Sequence, residues 1–170
     1  MDLIAVAERI EGDLRETASP DRAVQEKRYL RSDLEHLGVP VPAIRKITIG
    51  AVQALDRPQA LALADLLWEQ GVHELRVAAI ETLIRKVRLL ESGDLAVTER
   101  LIRDCLTWAY VDPLAVKVVG GLLVRDATLG TTLDRWVADA NFWIRRTAIL
   151  ALLPAIRAGE GDLDRVSAYG

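Results

Sequence analysis

Cysteine is almost absent from this chain of 170 residues. A lone Cys105 excludes an intramolecular disulfide and any cysteine-based zinc cluster. Long apolar runs are missing too. The longest, from Leu114 to Val124, is interrupted by Lys117 and is too short to span a bilayer. The N-terminus "MDLIAVAERIEGD" is acidic and lacks the basic start of a signal peptide, so a cytoplasmic protein with no membrane association is expected. Positive charge is not in excess: the formal net charge is −3, which counts against nucleic-acid binding as a whole-surface property. P-loop, GxGxxG, HExxH and nucleophile-elbow patterns are all lacking, which removes the common nucleotide-dependent, zincin and hydrolase chemistries. Histidine is limited to His36 and His73, read as surface or turn residues, and no metal or cofactor is expected.

Hydrophobic residues make up 51% of the chain and charged residues 28%, so a buried core can form. The apolar residues recur with helical period. Leu3, Val6, Ala7, Ile10 and Leu14 line one face of a first helix. Ser19-Pro20 reads as the start of a second, expected to run to "EHLG" and stop at Gly38. "VPVPAIRKITIGAVQAL" enters a third through prolines, Pro58 opens a fourth, and Gly71 ends it. "HELRVAAIETLIRKVRLL" reads as the clearest amphipathic segment. "ESGD" separates it from "LAVTERLIRDCLTWAY", Asp112-Pro113 reads as the start of the next helix, and "TLGTT" precedes "LDRWVADA". A final helix begins near Asn141, and Pro154 should kink or shorten it. No strand pattern is convincing; "KITIGAV" has β-branched residues in a helical frame.

An alanine followed by a large aliphatic recurs at Ala43-Ile44, Ala79-Ile80, Ala115-Val116 and Ala148-Ile149, with Trp68 and Trp136 echoing it in preceding helices as core residues. Such periodicity marks an all-α, HEAT-like helical-repeat solenoid of antiparallel helix pairs in a curved array, here one domain over residues 1–170. Counting back three residues from each alanine reaches Pro40, Arg76, Asp112 and Arg145, at the start of each second helix, which in a curved array lines the concave side. Basic clusters recur at Lys27, Arg28 and Arg31, at Arg45 and Lys46, at Arg85, Lys86 and Arg88, and at Arg145 and Arg146. They are either solvated helix faces or one lined surface.

"TWAYVDPLA", residues 107–115, sets Trp108 and Tyr110 beside Asp112 and Pro113. Asp-Pro is a helix-capping signal, with the aromatics then belonging to the core. It is also an anion beside aromatic walls, where a cation could sit.

Three stretches together resemble the AlkD-like DNA alkylation repair proteins, the HEAT-like-repeat DNA glycosylases. They are "RYLRSDLEHLGVPVPAIRK" (28–46), "TWAYVD" with Trp108 and Asp112 four apart, and "NFWIRRTAILALL" (141–153). The resemblance implies hydrolysis of the N-glycosidic bond of N3- and N7-alkylated purines in duplex DNA. It implies Asp112 as the catalytic carboxylate and Trp108 as an aromatic wall beside the lesion. Arg146 would hold the DNA backbone near the lesion, with Arg145 beside it, and Tyr29, Arg45 and Lys46 would make further DNA contacts. Family members usually continue for about two more helix pairs carrying a second active-site tryptophan. The chain is therefore expected to be C-terminally short, without that second wall, and Pro113 departs from the family's pattern. The partner implied is double-stranded DNA containing alkylated bases, bound by a monomer. Two rivals are a non-catalytic DNA-binding repeat protein and a protein-interaction scaffold, the latter favoured by the acidic balance.

Overall fold

A computed structural model describes residues 1–169. Their regular structure is helical, and the isolated β feature among them is a parallel bridge between Glu35 and Val72. The helices pack closely on one another, giving the expected all-helical repeat fold. Contacts gather into two compact units, one spanning Met1–Lys86 and the other beginning at Val87. No described helix is long and apolar enough to cross a membrane.

The first unit contains α1 (Leu3–Glu16), α2 (Pro20–Leu30), α3 (Val41–Val52), α4 (Arg57–Trp68) and α5 (His73–Lys86). Asp2 caps α1 by accepting from the N–H groups of Ile4 and Ala5, and Val6, Ala7, Ile10 and Leu14 are buried on the expected face. The second helix ends earlier than its sequence suggests. Arg31 takes a left-handed conformation (φ 50°) and stops α2 after Leu30, so Gly38 lies in a loop rather than at the helix end. That loop is fixed from three sides. Glu35 N–H donates to the Gly71 carbonyl (3.1 Å), His73 N–H to the Glu35 carbonyl (2.8 Å), and Ser19 N–H to the Leu37 carbonyl (2.8 Å).

Helix α5 is the centre of this unit and packs on α1, α3 and α4. Its sequence reads as amphipathic, yet it is buried almost all round. The charged residues that suggest a wet face are spent inward. The fully buried Glu74 carboxylate accepts from the backbone N–H groups of Leu37 (2.9 Å), Gly38 (2.6 Å) and Val39 (3.2 Å). Glu81 accepts two hydrogen bonds from Arg45 of α3. Lys86 Nζ donates to the carbonyls of Gln53 (2.9 Å) and Leu55 (2.7 Å), just beyond the end of α3. Each pairing supplies the partner that a buried ion requires. His36 and His73 also correct the surface reading. The His36 side chain is 1% exposed, His73 is buried, and their rings stack at 4.3 Å.

The second unit contains α6 (Leu95–Arg103), α7 (Trp108–Pro113), α8 (Gly120–Arg125), α9 (Gly130–Trp136), α10 (Phe142–Leu150), α11 (Leu153–Arg157) and α12 (Leu163–Tyr169). The expected single helix through "LAVTERLIRDCLTWAY" is broken at Asp104–Thr107. The Thr107 hydroxyl caps α7 by accepting from Ala109 N–H (3.3 Å). Asp112 therefore lies inside a helix and is not its cap. Pro113 has no N–H to give the preceding turn, and the chain relaxes into a π-helical stretch, Leu114–Val119, before α8. Pro154 acts as expected: α10 ends at Leu150 and α11 restarts with the proline in its first turn.

The repeated alanines keep their role better than the aliphatics after them. Ala79, Ala115 and Ala148 are fully buried and Ala43 is partly so. Ile44 and Ile80 are buried, but Val116 is half-buried and Ile149 exposed. Trp68 and Trp136 are core residues, as read, and Cys105 is buried.

A capping network sets the start of α10. The Asn141 side chain accepts from Trp143 N–H (2.8 Å) and Ile144 N–H (3.3 Å), while Asp139 accepts from Asn141 N–H (2.7 Å) and from Arg103 of α6 (2.7 and 3.2 Å). The Arg103 guanidinium, helped by the Asn141 N–H, holds the Asp139 carboxyl down to about 2 from an ordinary 3.8. A depressed carboxyl contributes its stability in full above the unfolded value and loses it as pH falls toward the folded one. Thermal melts across pH should show Asp139→Asn less stable than wild type at neutral pH, with a shallower loss between 3.8 and about 2. Gly38 has φ 77°, and a Cβ there would sit 2.2 Å from the Ser19 carbonyl oxygen and 2.6 Å from Ala23 N. In urea denaturation, Gly38→Ala should cost about 2 kcal/mol or more, because both the backbone conformation and the space oppose a side chain.

Candidate nucleic-acid site

Helices α7 and α10 pack together and bring three of the expected residues into one place. Trp108 opens α7 and Asp112 follows one turn later on the same helical face. Arg146 reaches across from α10. Its Nε donates to Asp112 Oδ1 (2.7 Å) and its Nη2 to Oδ2 (2.8 Å), a two-pronged pairing. Both side chains remain about one-third exposed. Trp108 is 48% exposed, so it is no core residue.

The pairing fixes geometry more than it stabilises the fold, since ion pairs this wet are worth about 0–1 kcal/mol. Bonding to the Asp112 carboxylate pushes the Arg146 guanidinium up from its ordinary value, so it stays charged. The result is a carboxylate whose two oxygens are oriented by a planar fork, set beside an exposed indole. Such an arrangement can present negative charge to a cation, and it offers a guanidinium able to exchange carboxylate for phosphate.

The other expected residues sit differently. Arg145 is on α10 beside Arg146, but its Nη1 donates to the carbonyls of Asp139 (2.7 Å) and Ala140 (2.9 Å), and its guanidinium lies 5.8 Å from the Phe142 ring. It secures the turn that starts the helix. Tyr29, Arg45 and Lys46 belong to the first unit. Tyr29 is 73% exposed at the end of α2. Arg45 is paired with Glu81, which raises its affinity for its proton. Lys46 is exposed and borders a cleft with Arg9, Asp13, Thr17, Ile47 and Gly50.

Sequence reasoning missed Phe142, which is 56% exposed beside Trp143 and edge-on to it at 5.0 Å. Its place just after an Asn cap was a readable sign, because the first turn of a helix seldom has all its side chains in the core.

The fold is shared with a solved structure described as a predicted DNA alkylation repair enzyme from Enterococcus faecalis. The TM-score is 0.78 at 16% identity, covering 89% of this chain and 72% of that one. No curated protein matches the sequence. A family model described as DNA alkylation repair enzyme matches residues 10–169, which include Trp108, Asp112 and Arg146. With nearly the whole chain matched, this protein belongs to the DNA alkylation repair enzyme family.

Proposed function

We propose that the protein is a monofunctional DNA glycosylase that releases cationic N3- and N7-alkylated purines from duplex DNA. The observation that carries this reading is the Asp112 carboxylate, gripped by Arg146 yet open to solvent and one turn from the exposed Trp108.

An alkylated purine already bears positive charge. When its N-glycosidic bond breaks, the bonding electron pair leaves with the base and neutralises it, and the charge passes to the sugar as an oxocarbenium-like centre. A fixed carboxylate opposite the anomeric carbon stabilises that centre and orients the water that adds there, whose proton passes to solvent. No general acid is required, because the leaving group departs neutral. In this reading Asp112 is the catalytic carboxylate, and the Trp108 indole faces the cationic base or sugar, worth about 0.5–2 kcal/mol. Arg146 exchanges part of its bond to Asp112 for a DNA phosphate, which holds the backbone and unmasks negative charge as the lesion arrives. Arg145 steadies the turn and adds positive charge beside the phosphate. Tyr29 and Lys46 are further DNA contacts, and Arg45 becomes one once it exchanges Glu81 for phosphate.

Incubation of the protein with duplex DNA carrying 7-methylguanine or 3-methyladenine should release the free bases. Uracil, an uncharged base that would have to depart as an anion, should stay attached. Binding without release from either methylated duplex would select a non-catalytic DNA-binding protein, and equal release of uracil would remove the charge-based mechanism. Trp108→Ala should slow release about tenfold with the fold intact by circular dichroism. Arg146→Gln should weaken duplex binding about tenfold, with a salt dependence shallower by roughly one phosphate.

A further inference from the structure

In the first unit, Glu26 of α2, His36 of the following loop and His73 at the start of α5 converge on one another. The alkylpurine chemistry uses none of them. One donor atom from each lies within 4.8 Å of the other two, and His36 Nδ1 is 3.9 Å from Glu26 Oε2. The His36 side chain is 1% exposed, yet neither of its ring nitrogens has a hydrogen-bond partner, and Glu26 Oε2 has none either. Buried polar atoms of this kind are normally satisfied, so three in one cluster require an explanation.

The backbone builds the cluster. The bridge between Glu35 and Val72 sets the next residues, His36 and His73, side by side, and Glu74 grips the loop at Leu37, Gly38 and Val39 from α5. Glu26 turns one oxygen toward Arg22 (3.6 Å) and the other toward His36. We propose that Glu26, His36 and His73 form a binding site for a divalent transition-metal ion of the zinc class, tying α2 and its loop to α5.

The donor chemistry fits. Two imidazole nitrogens and one carboxylate oxygen are a familiar zinc set, and they leave the fourth tetrahedral position for water. Glu74 adds negative charge near the cluster, acting on both Glu26 and His36, while Arg22 and Lys27 act in the opposite sense. Donors around a tetrahedral zinc stand about 3.3 Å apart, given bonds of about 2.0–2.1 Å. The cluster must contract modestly. The two rings, now 6° from parallel, must splay so that both lone pairs meet one ion. The histidine scarcity and single cysteine gave no sign of this at the level of sequence, because the ligands come from three separate elements.

The test uses the full 170-residue chain, stripped with chelator and titrated with Co2+ and then Zn2+. The expected result is one Co2+ per chain with the intense visible bands of four-coordinate cobalt, displaced by Zn2+, and a melting temperature that rises saturably with Zn2+. His36→Ala and Glu26→Gln should each weaken Zn2+ binding at least tenfold. Glu26→Gln preserves shape on a surface helix, so it serves if the histidine variant does not fold. A cobalt spectrum that stays that of the hydrated ion overturns the proposal, as does Zn2+ affinity unchanged in Glu26→Gln. Base release from methylated DNA does not enter either readout, so the outcome is independent of the glycosylase reading.

Discussion

One two-pronged ion pair, Arg146 on Asp112, sets the requirements that the second unit meets. A carboxylate left open to water would rotate freely; a guanidinium fork across its two oxygens takes that freedom away. Both partners must then be held by helices that do not move. On one side, Thr107 starts α7 so that Trp108 and Asp112 share a face. On the other, Asn141, Asp139, Arg103 and Arg145 fix the first turn of α10, from which Arg146 projects. The charged residues around the pair therefore serve position, and their individual contributions to stability are small.

The first unit applies the same economy to buried charge. Glu74, Glu81 and Lys86 on α5 look like a wet face in the sequence, and each closes a gap in the neighbouring backbone or meets a partner from α3. These contacts fix where the loop before α3 and the end of α3 lie. They also explain why arginines that seemed available for DNA, such as Arg45, are already engaged in the resting protein. A member of this family with net charge −3 cannot rely on a diffuse basic field. In the proposed function, binding comes from a few exchanges of carboxylate for phosphate at defined places.

The helical class and most breaks were legible because they rest on local chemistry: Gly71 after α4, Pro154 in the first turn of α11, the apolar stripe of α1. Boundaries set by distant contacts were not. Helix α2 stops at Leu30 because its loop is claimed by Glu74 and the Glu35–Val72 bridge, 35 or more residues away in sequence. Asp112-Pro113 gives a strong capping signal, but Thr107 upstream takes the cap and the proline is absorbed by a π-helical stretch. The repeat spacing pointed to Asp112, resemblance to a family added Trp108 and Arg146, and the ion pair that joins Arg146 to Asp112 was not legible in the sequence. The burial of His36 and His73 was invisible, since it arises where a loop and a helix far apart in sequence meet.

The proposed chemistry sets the carboxylate at position 112 against a sugar that becomes positive. Single-turnover release of 7-methylguanine from duplex DNA, with the protein saturating and its DNA affinity measured in parallel, addresses that directly when wild type is set against Asp112→Asn. The expected result is a loss of about a hundredfold to a thousandfold in the release step with duplex binding unchanged or tighter, since a negative group has gone. Release by the Asn variant at the wild-type rate would contradict it.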